Sequence, residues 1–139
     1  MKLPLTGGCA CGAIRFRCAS APMAMLNCHC RDCQRSSGAP FASGVVLASA
    51  DLEVTGTPAE HAVQAGSGQR TRRSFCPACG TPLFTRGDAH PAWTSVRFSS
   101  LDDQAEFRPM LDIWAGSAPA WTCLDPAIPQ FRESPPAPA

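Results

Sequence analysis

Apolar and polar residues alternate with a period of two in several short stretches of the chain, and no stretch sustains a helical period. In Ile14-Arg15-Phe16-Arg17-Cys18 the apolar side chains share one face and the arginines the other. Thr94-Ser95-Val96-Arg97-Phe98 and the run from Phe107 to Ile113 repeat the pattern. Phe41 to Leu47, Leu52 to Thr55 and His61 to Ala65 are further short strands on the same grounds. Pro109 lacks an amide donor, so it belongs at a sheet edge or a bulge. The polar stretch Arg31 to Ser37 reads as one short helical turn, and Ser134 to Ala139 as a tail that cannot pack. The pattern predicts a mainly-β domain over residues 1–133, followed by a Pro/Ala-rich tail over 134–139.

Composition adds little direction of its own. The chain has 139 residues, 45% hydrophobic and 17% charged, with a formal net charge of +1. This suits one globular domain and offers no global field to attract nucleic acid or an anionic membrane. No apolar run approaches the ~20 residues of a membrane span, and the N-terminus does not read as a signal peptide. The expected location is the cytoplasm, where thiols stay reduced.

Nine cysteines then need a reason. Seven fall in three clusters: Cys9-Ala10-Cys11, Cys28-His29-Cys30-Arg31-Asp32-Cys33, and Cys76-Pro77-Ala78-Cys79-Gly80. In a reducing compartment such clustering points to metal rather than disulfides, and thiolates spaced this closely suit zinc. Two partitions are open. Cys30, Cys33, Cys76 and Cys79 can form a zinc ribbon and leave Cys9, Cys11 and Cys28 idle. Alternatively Cys9, Cys11, Cys76 and Cys79 close a four-sulfur structural site, and Cys28, Cys30 and Cys33 hold a second ion. The second uses every clustered cysteine, and spacing favours it only modestly. A closed site holds a fold together, whereas a three-ligand site keeps a position for water or substrate.

Flanking residues add a resemblance. Gly7-Gly8-Cys9-Ala10-Cys11-Gly12-Ala13-Ile14-Arg15-Phe16, the Cys28–Cys33 cluster, and Phe75-Cys76-Pro77-Ala78-Cys79-Gly80-Thr81 resemble the three signature segments of the glutathione-dependent formaldehyde-activating enzymes. That family also includes centromere protein V. The likeness runs from Gly7 to Phe131 and takes in Gly38, Phe41 and the segment Trp121, Asp125, Pro129-Gln130-Phe131. It implies a β-tent of small antiparallel sheets pinned by cysteine-bound zinc. It also implies the second partition: structural zinc on Cys9, Cys11, Cys76 and Cys79, and catalytic zinc on Cys28, Cys30 and Cys33. A thiolate trio with a labile fourth ligand loses metal easily, so the second ion is expected to be the labile one. The implied activity is that of a carbon–sulfur lyase joining glutathione or a similar thiol to formaldehyde or another small carbonyl. Where the family pattern leads one to expect a histidine ahead of Ile113-Trp114, this chain has Asp112.

The remaining candidates are weighed against bland alternatives. His29 lies between two ligands but points elsewhere when they face a metal. His61 and His90 read as surface residues, and Cys18 and Cys123 as small buried hydrophobes. Arg31 and Arg35 are candidates for holding the glutathione carboxylates, whereas Arg70, Arg72 and Arg73 read as a solvated face. Trp93, Trp114 and Trp121 read as core or pocket wall, with at least two in the core. The alternative function is a non-catalytic zinc-stabilised binding module.

Overall fold

The computed structural model describes residues 1–136; the end of the expected tail, 137–139, lies outside the described residues. Among the described residues ten strands form two sheets, accompanied by one short α-helix. The first joins β1 (Leu5–Gly8), β2 (Arg15–Cys18) and β5 (Leu52–Thr55) in the order β1-β2-β5. The second is seven-stranded. It comprises β3 (Ala24–Cys28), β4 (Ala42–Ala48), β6 (Ala59–Gln64), β7 (Arg70–Phe75), β8 (Pro82–Gly87), β9 (Trp93–Arg97) and β10 (Leu111–Ile113). Its order is β10-β3-β4-β9-β8-β7-β6. All neighbours are antiparallel except β10, which lies parallel to β3 with Asp112 opposite Asn27. The helix α1 (Arg31–Ser37) follows β3 directly, and among the described residues no helix is long and apolar enough to cross a membrane.

The mainly-β expectation holds, and the alternating stretches are the strands it found most closely. β2 shows why: Phe16 and Cys18 are buried while Arg15 and Arg17 face water. Leu5, Ile14, Phe16, Val45, Leu47, Phe84 and Val96 form the core between the sheets. The Phe16 ring meets Phe84 edge-on, with centroids 5.5 Å apart, and so ties one sheet to the other. The run from Phe107 is only partly strand. Phe107 packs into the core against Phe98, Pro109 cannot donate, and regular pairing begins at Leu111.

Four strands lie outside the alternating stretches. β1 ends in two glycines, β3 is half-buried along its whole length, β8 begins at a proline, and β7 reads Arg-Thr-Arg-Arg-Ser-Phe. None of these carries a legible period. β7 is held by neighbours on both sides, and that pairing supplies what its own sequence does not announce.

Because side chains alternate across a strand, the seven-stranded sheet has two different faces. One face sends Val45, Leu47, Phe84 and Val96 into the core. The other carries Leu26 and Cys28 of β3, Val46 of β4, Thr85 of β8, Arg73 of β7 and Arg97 of β9. This second face is the floor on which the functional site stands.

Candidate functional site

The first cysteine set gathers at the junction of the two sheets. Cys9 and Cys11 follow β1, and Cys76 and Cys79 follow β7, where the register with β8 slips between Ser74 and Phe75 and bends the strand into its turn. Both turns close on themselves. The Gly12 amide donates to the Cys9 carbonyl at 3.1 Å, and the Gly80 amide to the Cys76 carbonyl at 2.8 Å. Gly12 and Gly80 have φ of 79° and 78°, a region that a side chain disfavours. The four sulfurs lie within 4.8 Å of one another, with Cys9–Cys11 at 3.6 Å and Cys11–Cys76 at 3.7 Å. Four sulfurs each ~2.3 Å from a central ion stand about 3.8 Å apart, so the set fits a tetrahedral thiolate site. The Ile14 amide donates to the Cys9 sulfur at 3.2 Å. The Thr81 hydroxyl, followed by its backbone, brings the Cys79 thiol down to about 5.

The second set is made by the end of β3 and the start of α1. Cys28 closes the strand, Cys30 caps the helix with its sulfur accepting from the Cys33 amide at 3.3 Å, and Cys33 lies in the first turn. The sulfurs of Cys28, Cys30 and Cys33 lie within 4.8 Å of one another, and the group has three members. No other His, Cys, Asp or Glu among the described residues joins it. The arrangement can hold a metal ion and leaves a fourth position for an outside ligand. It opens onto a cleft of about 300 Å³. The walls are Arg31 and Asp32 of α1, the β6–β7 turn at Gly66 and Ser67, Arg73 of β7, and Trp114. The Gly66 amide donates to the Asp32 carboxylate at 3.2 Å, which ties that turn to the helix across the cleft mouth. Trp114 holds a left-handed backbone, φ 55°, which costs about 1 kcal/mol or more in a residue other than glycine.

Two guanidinium groups reach the trio from beneath. Arg73 places its nitrogens 3.9 and 4.0 Å from the Cys33 sulfur and donates to the Ser36 hydroxyl at 3.2 Å. Arg97, buried, donates to the same hydroxyl at 2.7 Å. Among the described residues neither has a carboxylate partner. Hydrogen bonds from Cys28 and Cys30, followed by the charges of Arg73 and Arg97, hold the Cys33 thiol well below the ordinary range. Hydrogen bonding to Cys30 and Cys33, with burial behind it, drives the Cys28 thiol up. Burial lowers Arg97.

Behind the trio, on the core side of the sheet, runs a polar ladder. Ser43 donates to the Asn27 side-chain oxygen Oδ1 at 2.7 Å, and Asn27 Nδ2 donates to Asp112 Oδ1 at 3.1 Å. His29 Nε2 and Asp112 Oδ1 are 2.9 Å apart, both fully buried. His29 is thus turned to a carboxylate rather than to the cysteine trio, and Asp112 has a structural partner. Gln34 fastens the helix by donating to the carbonyls of His29 at 2.9 Å and Ser117 at 3.1 Å.

The remaining candidates divide. Arg31 lines the cleft and reaches Gln34, whereas Arg35 is exposed, lies 3.8 Å from Asp32 and lines a different surface hollow. Arg70 and Arg72 pair with surface acids, as a solvated face requires, but Arg73 does not belong with them. It points to the opposite face of β7, a parity that only the register reveals. Arg97 carried no signal beyond alternation with Val96. Cys18 is fully buried; Cys123 is exposed, because its segment lies on the surface without regular structure. Trp93 and Trp121 are 39% and 73% exposed and Trp114 is half-buried, so no tryptophan is in the core. The core is filled instead by smaller residues and phenylalanine.

The model of the glutathione-dependent formaldehyde-activating enzymes matches residues 4–117, the span that contains both cysteine sets and every wall of the cleft. The chain belongs to that family. A crystal structure of a Rhodobacter sphaeroides protein superposes with a TM-score of 0.56 over 90% of this chain and 98% of that one. At 19% identity it speaks for the fold alone.

Proposed function

We propose that this chain is a two-zinc enzyme that adds a thiol, glutathione or a similar one, to formaldehyde or another small carbonyl compound. It would thus act as a carbon–sulfur lyase of the S-(hydroxymethyl)glutathione synthase type. The observation that carries the reading is the inequality of the two cysteine sets. One has four sulfurs and is closed; the other has three and faces a cleft. Cys9, Cys11, Cys76 and Cys79 would hold structural zinc, and Cys28, Cys30 and Cys33 catalytic zinc. When bound to the trio, the metal would supply acidity to a substrate thiol in the fourth position.

The chain's own residues account for the rest. Three thiolates around a divalent ion leave one net negative charge, while Arg73 and Arg97 bring two positive ones. The surplus favours an anionic sulfur over a neutral thiol at the open position. Arg31, which lines the cleft, would meet a substrate carboxylate. Holding sulfur and carbonyl in one cleft makes the addition effectively intramolecular. Cys30→Ser tests the assignment. Serine is a good helix N-cap, so α1 survives; activity is lost while the far-ultraviolet circular dichroism spectrum is unchanged. Unfolding of the variant would instead make the trio a structural site.

A further inference from the structure

Cys30-Arg31-Asp32-Cys33 spans the turn where β3 passes into α1, and this pair is placed differently from the third member of the trio. Cys30 stands just outside the helix on extended backbone, with φ −63° and ψ 155°, and its sulfur accepts from the Cys33 amide at 3.3 Å. The two sulfurs lie within 4.8 Å of each other. A disulfide needs about 2.0 Å, a gap within reach of side-chain rotation. Cys28, by contrast, is held in the sheet by Ala42 of β4 on one side and Ile113 of β10 on the other. The same spacing recurs in Cys76 and Cys79, but an ion held there keeps two further sulfurs, Cys9 and Cys11, when that pair is lost. At the trio only Cys28 would remain.

We propose that Cys30 and Cys33 are a dithiol switch: a hydroperoxide joins them as a disulfide, and the trio gives up its metal ion while the closed set keeps its own. The inference needs only that the trio binds metal, and it goes beyond the thiol-addition reading. Of the pair, Cys30 is the less buried and lines the cleft, so it meets an incoming oxidant first. Ligation keeps both sulfurs as thiolates, the reactive form. The Cys30 sulfur attacks one oxygen of hydrogen peroxide, a sulfur–oxygen bond forms, and the oxygen–oxygen bond breaks to release hydroxide. The Cys33 sulfur then attacks the Cys30 sulfur, the disulfide forms and a second hydroxide leaves. Two thiolates have lost two electrons to the peroxide, and two protons from solvent convert the hydroxides to water. Arg73, with nitrogens 3.9 and 4.0 Å from the Cys33 sulfur, steadies that sulfur as the attacking anion. Cys28 alone does not retain a divalent ion. A small thiol reverses the change. It attacks the Cys30 sulfur to give a mixed disulfide, and a second molecule of it completes the reduction and leaves as the thiol's own disulfide.

Zinc-loaded Cys123→Ser protein, which lacks the exposed lone thiol, is titrated with hydrogen peroxide beside a chromophoric zinc chelator. About one zinc ion per chain is released for each equivalent of peroxide and the other is retained, while the protein mass falls by about 2 Da. Trypsin cuts after Arg31 and Arg35, so the disulfide appears as a cross-link between a peptide ending at Arg31 and Asp32-Cys33-Gln34-Arg35. The cross-link persists in Cys28→Ser and is absent from Cys30→Ser and Cys33→Ser, and it is read whether or not these variants bind zinc tightly. Glutathione with added zinc removes it and restores the metal count. Loss of both ions together, release with sulfinic acid in place of a disulfide, a disulfide that includes Cys28 or the closed set, or full retention of zinc in excess peroxide overturns the inference. The two readings fail separately. Glutathione that binds while peroxide leaves the trio intact sinks only the switch. A switch that works in two-zinc protein blind to glutathione sinks only the thiol-addition reading.

Discussion

Asp112 stands fully buried between two donors, Asn27 at 3.1 Å and His29 at 2.9 Å. Its replacement by alanine would leave both groups without an acceptor in a place water does not reach. The expected cost is about 2–4 kcal/mol, and Asp112→Asn, which keeps one acceptor, costs less. Urea denaturation of the two variants checks the order. The trio makes a second prediction at this scale. In protein stripped of metal at the trio, Cys33 keeps a thiolate far into acid, while Cys28 stays protonated beyond the usual range. Absorbance at 240 nm should therefore retain below pH 6 a thiolate contribution that Cys33→Ser removes. The linkage has a definite sign. Cys33 is depressed from an unfolded value of about 8.5, so its stabilisation is complete above that value and is lost as pH falls below it. Cys28 is raised, so its contribution is complete below about 8.5 and is lost as pH rises above it.

Strands, turns and the helix show where the sequence was readable. β2 follows the alternation of apolar positions because it buries one side and exposes the other, while β4, β5 and β9 are legible from their apolar and β-branched residues although their burial does not alternate cleanly. The Cys-Pro-Ala-Cys-Gly turn is legible from its glycine and its spacing. β3 and β7 are not legible, since both faces of each are in use: one on the core or its ladder, the other on the site. That is also why Arg73 reads as surface and Arg97 as ordinary strand. Their role depends on register with neighbours that no local pattern encodes. Gly7 marks a third case, a residue whose importance lies in what approaches it. A Cβ there would stand 2.1 Å from the Ser100 carbonyl oxygen and 2.4 Å from the Phe16 ring. Gly7→Ala therefore forces β1 away from both and costs about 1–3 kcal/mol, read as a fall in melting temperature. An unchanged melting temperature would mean that β1 moves freely.

At the scale of the molecule, one sheet does two jobs. Its inner face packs against β1-β2-β5 through Phe16 and Phe84, and its outer face carries the trio, two arginines and the cleft. The closed cysteine set brings the turn after β1 against the turn after β7. The three clusters were visible in the sequence because metal ligation constrains spacing tightly, whereas spacing left their grouping open and only the family resemblance implied it. The shape of the cleft was not, since its walls come from five separated segments. All of this converges on one claim, that the trio offers its open position to a thiol. Calorimetric titration of glutathione into protein whose zinc has been counted tests it most directly. The account predicts saturable one-to-one binding that appears only when the second zinc is present and disappears in Cys30→Ser. Absence of binding to protein holding two zinc ions would contradict it.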